Sequence, residues 1–123
     1  MPPTNFANDY GTGQVQMDGM QITRTTLTAH AGGGATGATQ LVWGLNLVSV
    51  ATAADSVVLP DASQVLPGTF VYVICFSSNA LAIFPFGAQT INRATSSVSL
   101  PAQDLAIFIS TGPADWQYSP AVL

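Results

Sequence analysis

The sequence predicts an all-β protein, an antiparallel β-sandwich or jelly-roll-like barrel, with an extended arm over residues 1–19 and the β-sandwich domain at 20–123. Three observations predict it. The run Phe70-Val71-Tyr72-Val73-Ile74-Cys75-Phe76 has strand length and is dominated by β-branched and aromatic residues. Shorter runs of the same character follow at 81–84, 89–92, 98–100, 105–109 and 116–118. Every gap between them carries Gly, Pro, Asn or paired Ser, the residues of tight turns, so the whole reads as an antiparallel meander.

In chain order, residues 1–19 stand apart. They carry Pro2, Pro3, Gly11, Gly13 and Gly19, with Phe6 and Tyr10 as isolated aromatics. Such a stretch cannot build a core of its own. It reads as an arm laid on a partner, with Phe6 and Tyr10 as the anchors, or else as a frayed tail. The segment 21–28 is a threonine-rich strand whose Ile22 and Leu27 fall on opposite faces, as at an edge or a bulge. Ala29-His30-Ala31-Gly32-Gly33-Gly34-Ala35-Thr36-Gly37 is a glycine-rich loop. It lacks the Lys and the following helix of a phosphate-binding loop, and reads as a flexible connection or a close backbone approach between subunits.

Leu41, Trp43, Leu45 and Leu47 alternate with Val42, Gly44, Asn46 and Val48, which predicts a strand with one strongly apolar face and Trp43 in the core. Residues 56–60 resume the strand pattern, and 61–66 can make one short turn. The strand at 70–76 is apolar on both faces, Phe70, Tyr72, Ile74 and Phe76 against Val71, Val73 and Cys75. Leu105, Ile107 and Ile109 likewise oppose Ala106 and Phe108. Antiparallel sheets commonly keep one face wet. Here both faces need cover, from a second sheet or from another subunit.

Composition points the same way. Only 7% of the 123 residues are charged, against about 25% in typical domains. There are two basic residues, Arg24 and Arg93, and six acids, all Asp, for a net charge of −4. So little charge predicts a surface covered by other protein. Two Arg cannot neutralise a phosphate backbone, which argues against nucleic acid as a partner. No apolar run approaches the roughly 20 residues of a membrane span, and the N-terminus has neither the basic nor the apolar segment of a signal peptide. The single cysteine, Cys75, is expected to be a buried strand residue in a chain made in a cytoplasm.

Chemistry is sparse. His30 is the only histidine, so a Ser-His-Asp set is arithmetically possible, but no nucleophile turn accompanies it. Asp55 and Asp61 read as turn residues rather than paired catalytic carboxylates. No calcium-loop pattern or metal-ligand cluster stands out, and no catalytic, cofactor or metal site is assigned. Trp43 and Trp116 could stack on sugar rings, although strand tryptophans are more commonly core.

Thr28-Ala29-His30-Ala31-Gly32-Gly33-Gly34, the segment 50–60 (Val-Ala-Thr-Ala-Ala-Asp-Ser-Val-Val-Leu-Pro), Asn79-Ala80-Leu81-Ala82-Ile83-Phe84-Pro85, the Ile91-Asn92 pair, Leu100-Pro101-Ala102 and Trp116 together resemble small tailed-bacteriophage virion proteins. The resemblance covers roughly residues 21–118 and leaves the arm unmatched. It implies a β-rich, trimeric, non-enzymatic subunit: a head decoration (cement) protein that binds the major capsid protein on the capsid surface. The alternative it implies is a module associated with a head or tail fibre, binding host glycan.

Overall fold

The computed structural model describes residues 22–120. The predicted arm, with Phe6 and Tyr10, lies outside the described residues. Ten strands form: β1 (Arg24–Thr28), β2 (Thr39–Gln40), β3 (Gly44–Ser49), β4 (Asp55–Val58), β5 (Phe70–Cys75), β6 (Leu81–Phe84), β7 (Thr90–Ile91), β8 (Val98–Leu100), β9 (Leu105–Gly112) and β10 (Asp115–Pro120). Among the described residues a 3-10 turn at Ala62–Gln64 falls within the expected 61–66 segment; Asp61 caps it by accepting from the Ser63 amide. No α-helix forms among the described residues.

The strands build two mixed sheets, and neither closes into a barrel. Sheet A has the order β1-β3-β5-β9-β10-β7 and sheet B the order β2-β4-β6-β8. The antiparallel meander is corrected here. β1, β3 and β5 run parallel, as do β2, β4 and β6. Antiparallel pairing begins only where β9 meets β5 and β10, and where β8 meets β6.

The physical reason lies in the connections. Parallel neighbours need a long crossover, usually a helix. In this chain the crossovers from β1 to β3 and from β3 to β5 each contain a strand of sheet B. The chain therefore winds from A to B and back through β1 to β6, after which β8 and β9 return antiparallel, and β10 lies antiparallel to β9 and parallel to β7. Ser77-Ser78-Asn79, which looks like a hairpin turn, instead carries the chain from β5 across to β6. Within this crossing Ser77 Oγ accepts from the Val50 amide and Asn79 Nδ2 donates to the carbonyls of Val50 and Ala51.

Alternation then sorts the side chains. Val71, Val73, Cys75, Ala106, Phe108 and Trp116 of sheet A are buried in one cluster with Val57, Leu59, Leu81, Ile83 and Leu100 from sheet B and its flanks. Tyr118 stacks on Phe108 with ring centroids 4.9 Å apart. Cys75 is buried, as expected, and its thiol donates to the Asn79 carbonyl. β1 is the sheet edge anticipated from its threonine-rich sequence. The glycine loop makes its close approach inside the chain rather than between subunits: at Gly33 (φ +72°) an added Cβ would lie 2.6 Å from the Ala54 carbonyl oxygen.

Candidate interaction surface

The inner face of sheet A is sealed; its outer face is not. Leu45, Tyr72 and Ile107 stand side by side across β3, β5 and β9, and so do Leu47, Ile74 and Leu105. Phe70 and Ile109 form a third row. These residues are half-buried, and Phe70 is exposed. Phe70 and Tyr72 stack at 5.7 Å, which fixes two rings on this face.

At the end of the sheet where β3 and β5 begin, the apolar face rises into an apex. Trp43 is 59% exposed and Leu66 81% exposed, with Ile22, Val42 and Phe70 exposed around them. Trp43 was expected in the core. The correction follows from Asn46 and Gly44. Asn46 is fully buried; its Oδ1 accepts from the Val42 amide, and its Nδ2 donates to the carbonyls of Val42 and Tyr72. The side chain thus replaces a strand partner for Val42 and pushes residues 42–44 out of the ladder. Gly44, at φ +95°, completes the kink beside the Thr23 carbonyl, where an added Cβ would come within 2.7 Å. The phase changes across this kink: Leu41 is buried, while Trp43 keeps the parity of Leu45 and Leu47, the face that the structure turns outward. Val48 and Asn46 point inward, Leu45 and Leu47 outward, and Trp43 is left outside.

Leu66 is presented in a comparable way. Ser110 is buried; its hydroxyl donates to the Leu66 carbonyl at 3.0 Å and accepts from the Thr69 amide at 3.1 Å. Thr69 Oγ1 donates to the same Leu66 carbonyl, and Gly68 N donates to the Ser110 carbonyl. The Leu66-Pro67-Gly68 turn is therefore anchored while its apolar side chain points to solvent. Trp43 divides two hollows on this apex. One, of about 420 Å³, is lined by Ile22, Phe70 and Tyr72; the other, of about 290 Å³, by Gln64, Val65 and Leu66. Neither lining includes a carboxylate or a basic group.

The remaining chemistry-bearing residues are engaged elsewhere. His30 and Ser56 pair through their backbones, which brings His30, Asp55 and Ser56 together. The Asp55 carboxylate accepts from the amides of Gly32 and Thr52, and Ser56 Oγ donates to the Gly34 carbonyl. Both side chains thus hold the glycine loop and the turn before β4. Asp115 gathers Thr90, Thr111, Gln117 and the Arg93 amide at the junction of β7, β9 and β10. Partial burial opposes its ionisation, but those hydrogen bonds outweigh it and hold the carboxyl below its ordinary range. Asp61 is also held low, by hydrogen bonds from Ser63 and Gln89. Burial, then the charge of Asp104, pushes the Tyr118 hydroxyl up. Among the described residues no three His, Cys, Asp or Glu side chains cluster as metal ligands, and no helix is long and apolar enough to cross a membrane.

Leu66, Asn46 and Ser110 were not singled out from sequence. One signal was available, a glycine interrupting a strand pattern at position 44, which marks a bulge or a close backbone approach. Compared with known proteins, the chain matches no family model and none of the curated proteins.

Proposed function

We propose that this chain is a non-enzymatic structural subunit of a bacteriophage virion, a head decoration (cement) protein that binds and stabilises the capsid as a homotrimer. The observation that carries the assembly reading is the outer face of sheet A, apolar in three rows that are half-buried or exposed among the described residues. A charged fraction of 7% supports it, because a chain with so little charge is poorly suited to a solitary life in water. The virion placement rests on the sequence resemblance. In this reading sheets A and B are the two layers of a sandwich, and the trimer sits over neighbouring copies of the major capsid protein. Contacts repeated by symmetry add avidity that no single contact supplies. The reading is tested on purified particles: labelling across the whole head supports it, and labelling confined to one vertex or the tail tip overturns it.

A second reading has its own observation. The exposed Trp43, with Gln64 nearby, is the kind of aromatic platform that stacks on a sugar ring, which favours a fibre-associated module binding host glycan. Saturable binding of host polysaccharide, lost in Trp43→Ala with the fold intact, would promote it.

A further inference from the structure

We infer that the Trp43–Leu66–Phe70 apex, together with the adjoining outer face of sheet A, is the surface on which neighbouring copies of this chain meet. The inference rests on the assembly reading above and assigns that assembly its contact.

Preorganisation comes first. Two buried polar side chains, Asn46 and Ser110, use their hydrogen bonds to hold the loops that carry Trp43 and Leu66 outward. A loop whose backbone is fixed before binding loses little further backbone entropy on docking. Aromatic anchors of this kind, at the centre of a patch, carry most of the binding energy of protein interfaces.

Size comes next. Trp43, Leu66 and Phe70, at 59%, 81% and 44% exposure, offer on the order of 100 Å² each. With Ile22, Val42 and the half-buried rows behind them, the patch reaches several hundred Å². That exceeds scattered surface apolarity and approaches the roughly 800 Å² that one partner contributes to a standard interface.

Chemistry then selects the occupant. The two hollows contain no charged group, and Arg24 is the only charged residue on the outer-face side of β1, beside Leu45. Charge-poor, core-like surface is the pattern of contacts between copies of one chain. A sugar needs hydrogen-bonding groups around the aromatic ring. Here Gln64 can offer its amide, but the Asn46 amide is turned inward to backbone and Thr69 Oγ1 is committed to the Leu66 carbonyl at 2.6 Å, so the ring's polar surroundings are sparse.

The experiment combines sedimentation with iodide quenching of the two tryptophans, using the full chain and its Leu66→Asp variant. The Leu66 side chain is mostly in solvent, so the variant keeps the fold's contacts. Trp116 is shielded in every state, so the quenchable emission reports Trp43. The expected result is an assembly whose emission iodide does not reach, and a smaller species in Leu66→Asp with a quenchable component. If Leu66→Asp unfolds, Leu66→Ser and Val42→Ser are put through the same measurements. An assembly in which Trp43 is freely quenched overturns the inference and leaves the assembly reading standing. Protection that arises only on adding heads, or only on adding host polysaccharide, overturns it in favour of those partners. A monomeric native chain overturns both.

Discussion

Trp116 lies within β10 of sheet A and Trp43 immediately precedes β3 of the same sheet, yet one is wholly buried and the other mostly in solvent. Trp116 follows simple alternation and joins the core with Phe108. Trp43 shares the outward parity of Leu45 and Leu47, and the bend held by the Asn46 amide and Gly44 carries it past the end of the ladder into solvent. The difference separates two kinds of apolar residue. One is inside because folding puts it there. The other is held outside by buried hydrogen bonds, a conformation that is useful only if something else comes to cover it.

The sharpest way to break this comparison is to truncate each ring. Trp116→Ala should destabilise the protein by about 3–5 kcal/mol, as large-to-small core changes do. Trp43→Ala should leave the stability of the single chain within about 0.5 kcal/mol, as exposed positions do. Urea unfolding of both variants in the Leu66→Asp background, where the copies are separated, measures the contrast. Equal losses would mean that Trp43 is part of the fold rather than of its surface.

Next in size is the device that holds Trp43 out. Asn46→Ala removes the partners of buried backbone groups at Val42 and Tyr72, for a loss of about 1–3 kcal/mol. Gly44→Ala sets a Cβ against the Thr23 carbonyl at φ +95°, a comparable strain of about 1–3 kcal/mol. Unfolding midpoints check both. Full native stability in Asn46→Ala would show that residues 42–44 do not depend on it.

The legibility of the sequence divides along the same line. Strand positions from Phe70 onward, the two-faced character of β5 and β9, and the burial of Cys75 and Trp116 were readable, because each follows from period-2 alternation within one segment. The parallel order was not. Turn residues such as Ser77-Ser78-Asn79 mark where a strand ends, not whether the chain doubles back or crosses to another sheet. The apex was hidden for a related reason. Asn46 acts on Val42 through a side chain, a pairing that a propensity pattern does not encode, and Leu66 stands in a Pro-Gly turn where an apolar residue reads as incidental.

A smaller effect distinguishes the β7–β10 edge from the core. The Asp115 carboxyl is held below its ordinary value in the folded chain. Its contribution is therefore complete above the unfolded carboxyl's pKa, about 3.9, and is lost as pH falls through the folded value. Asp115→Asn should remove a modest stabilisation at neutral pH and flatten the acid limb of the stability profile. An unchanged acid limb would remove this role. The smallest effect concerns Cys75, whose buried thiol should resist a thiol reagent in the native protein and react only on unfolding.

The central claim is that the outer face of sheet A is covered by assembly, and sedimentation equilibrium of the native chain at micromolar concentration tests it most directly. The account predicts a single species with the mass of a trimer. A stable, monodisperse monomer would contradict it, because the three apolar rows and the Trp43 apex would then have no second copy to cover them.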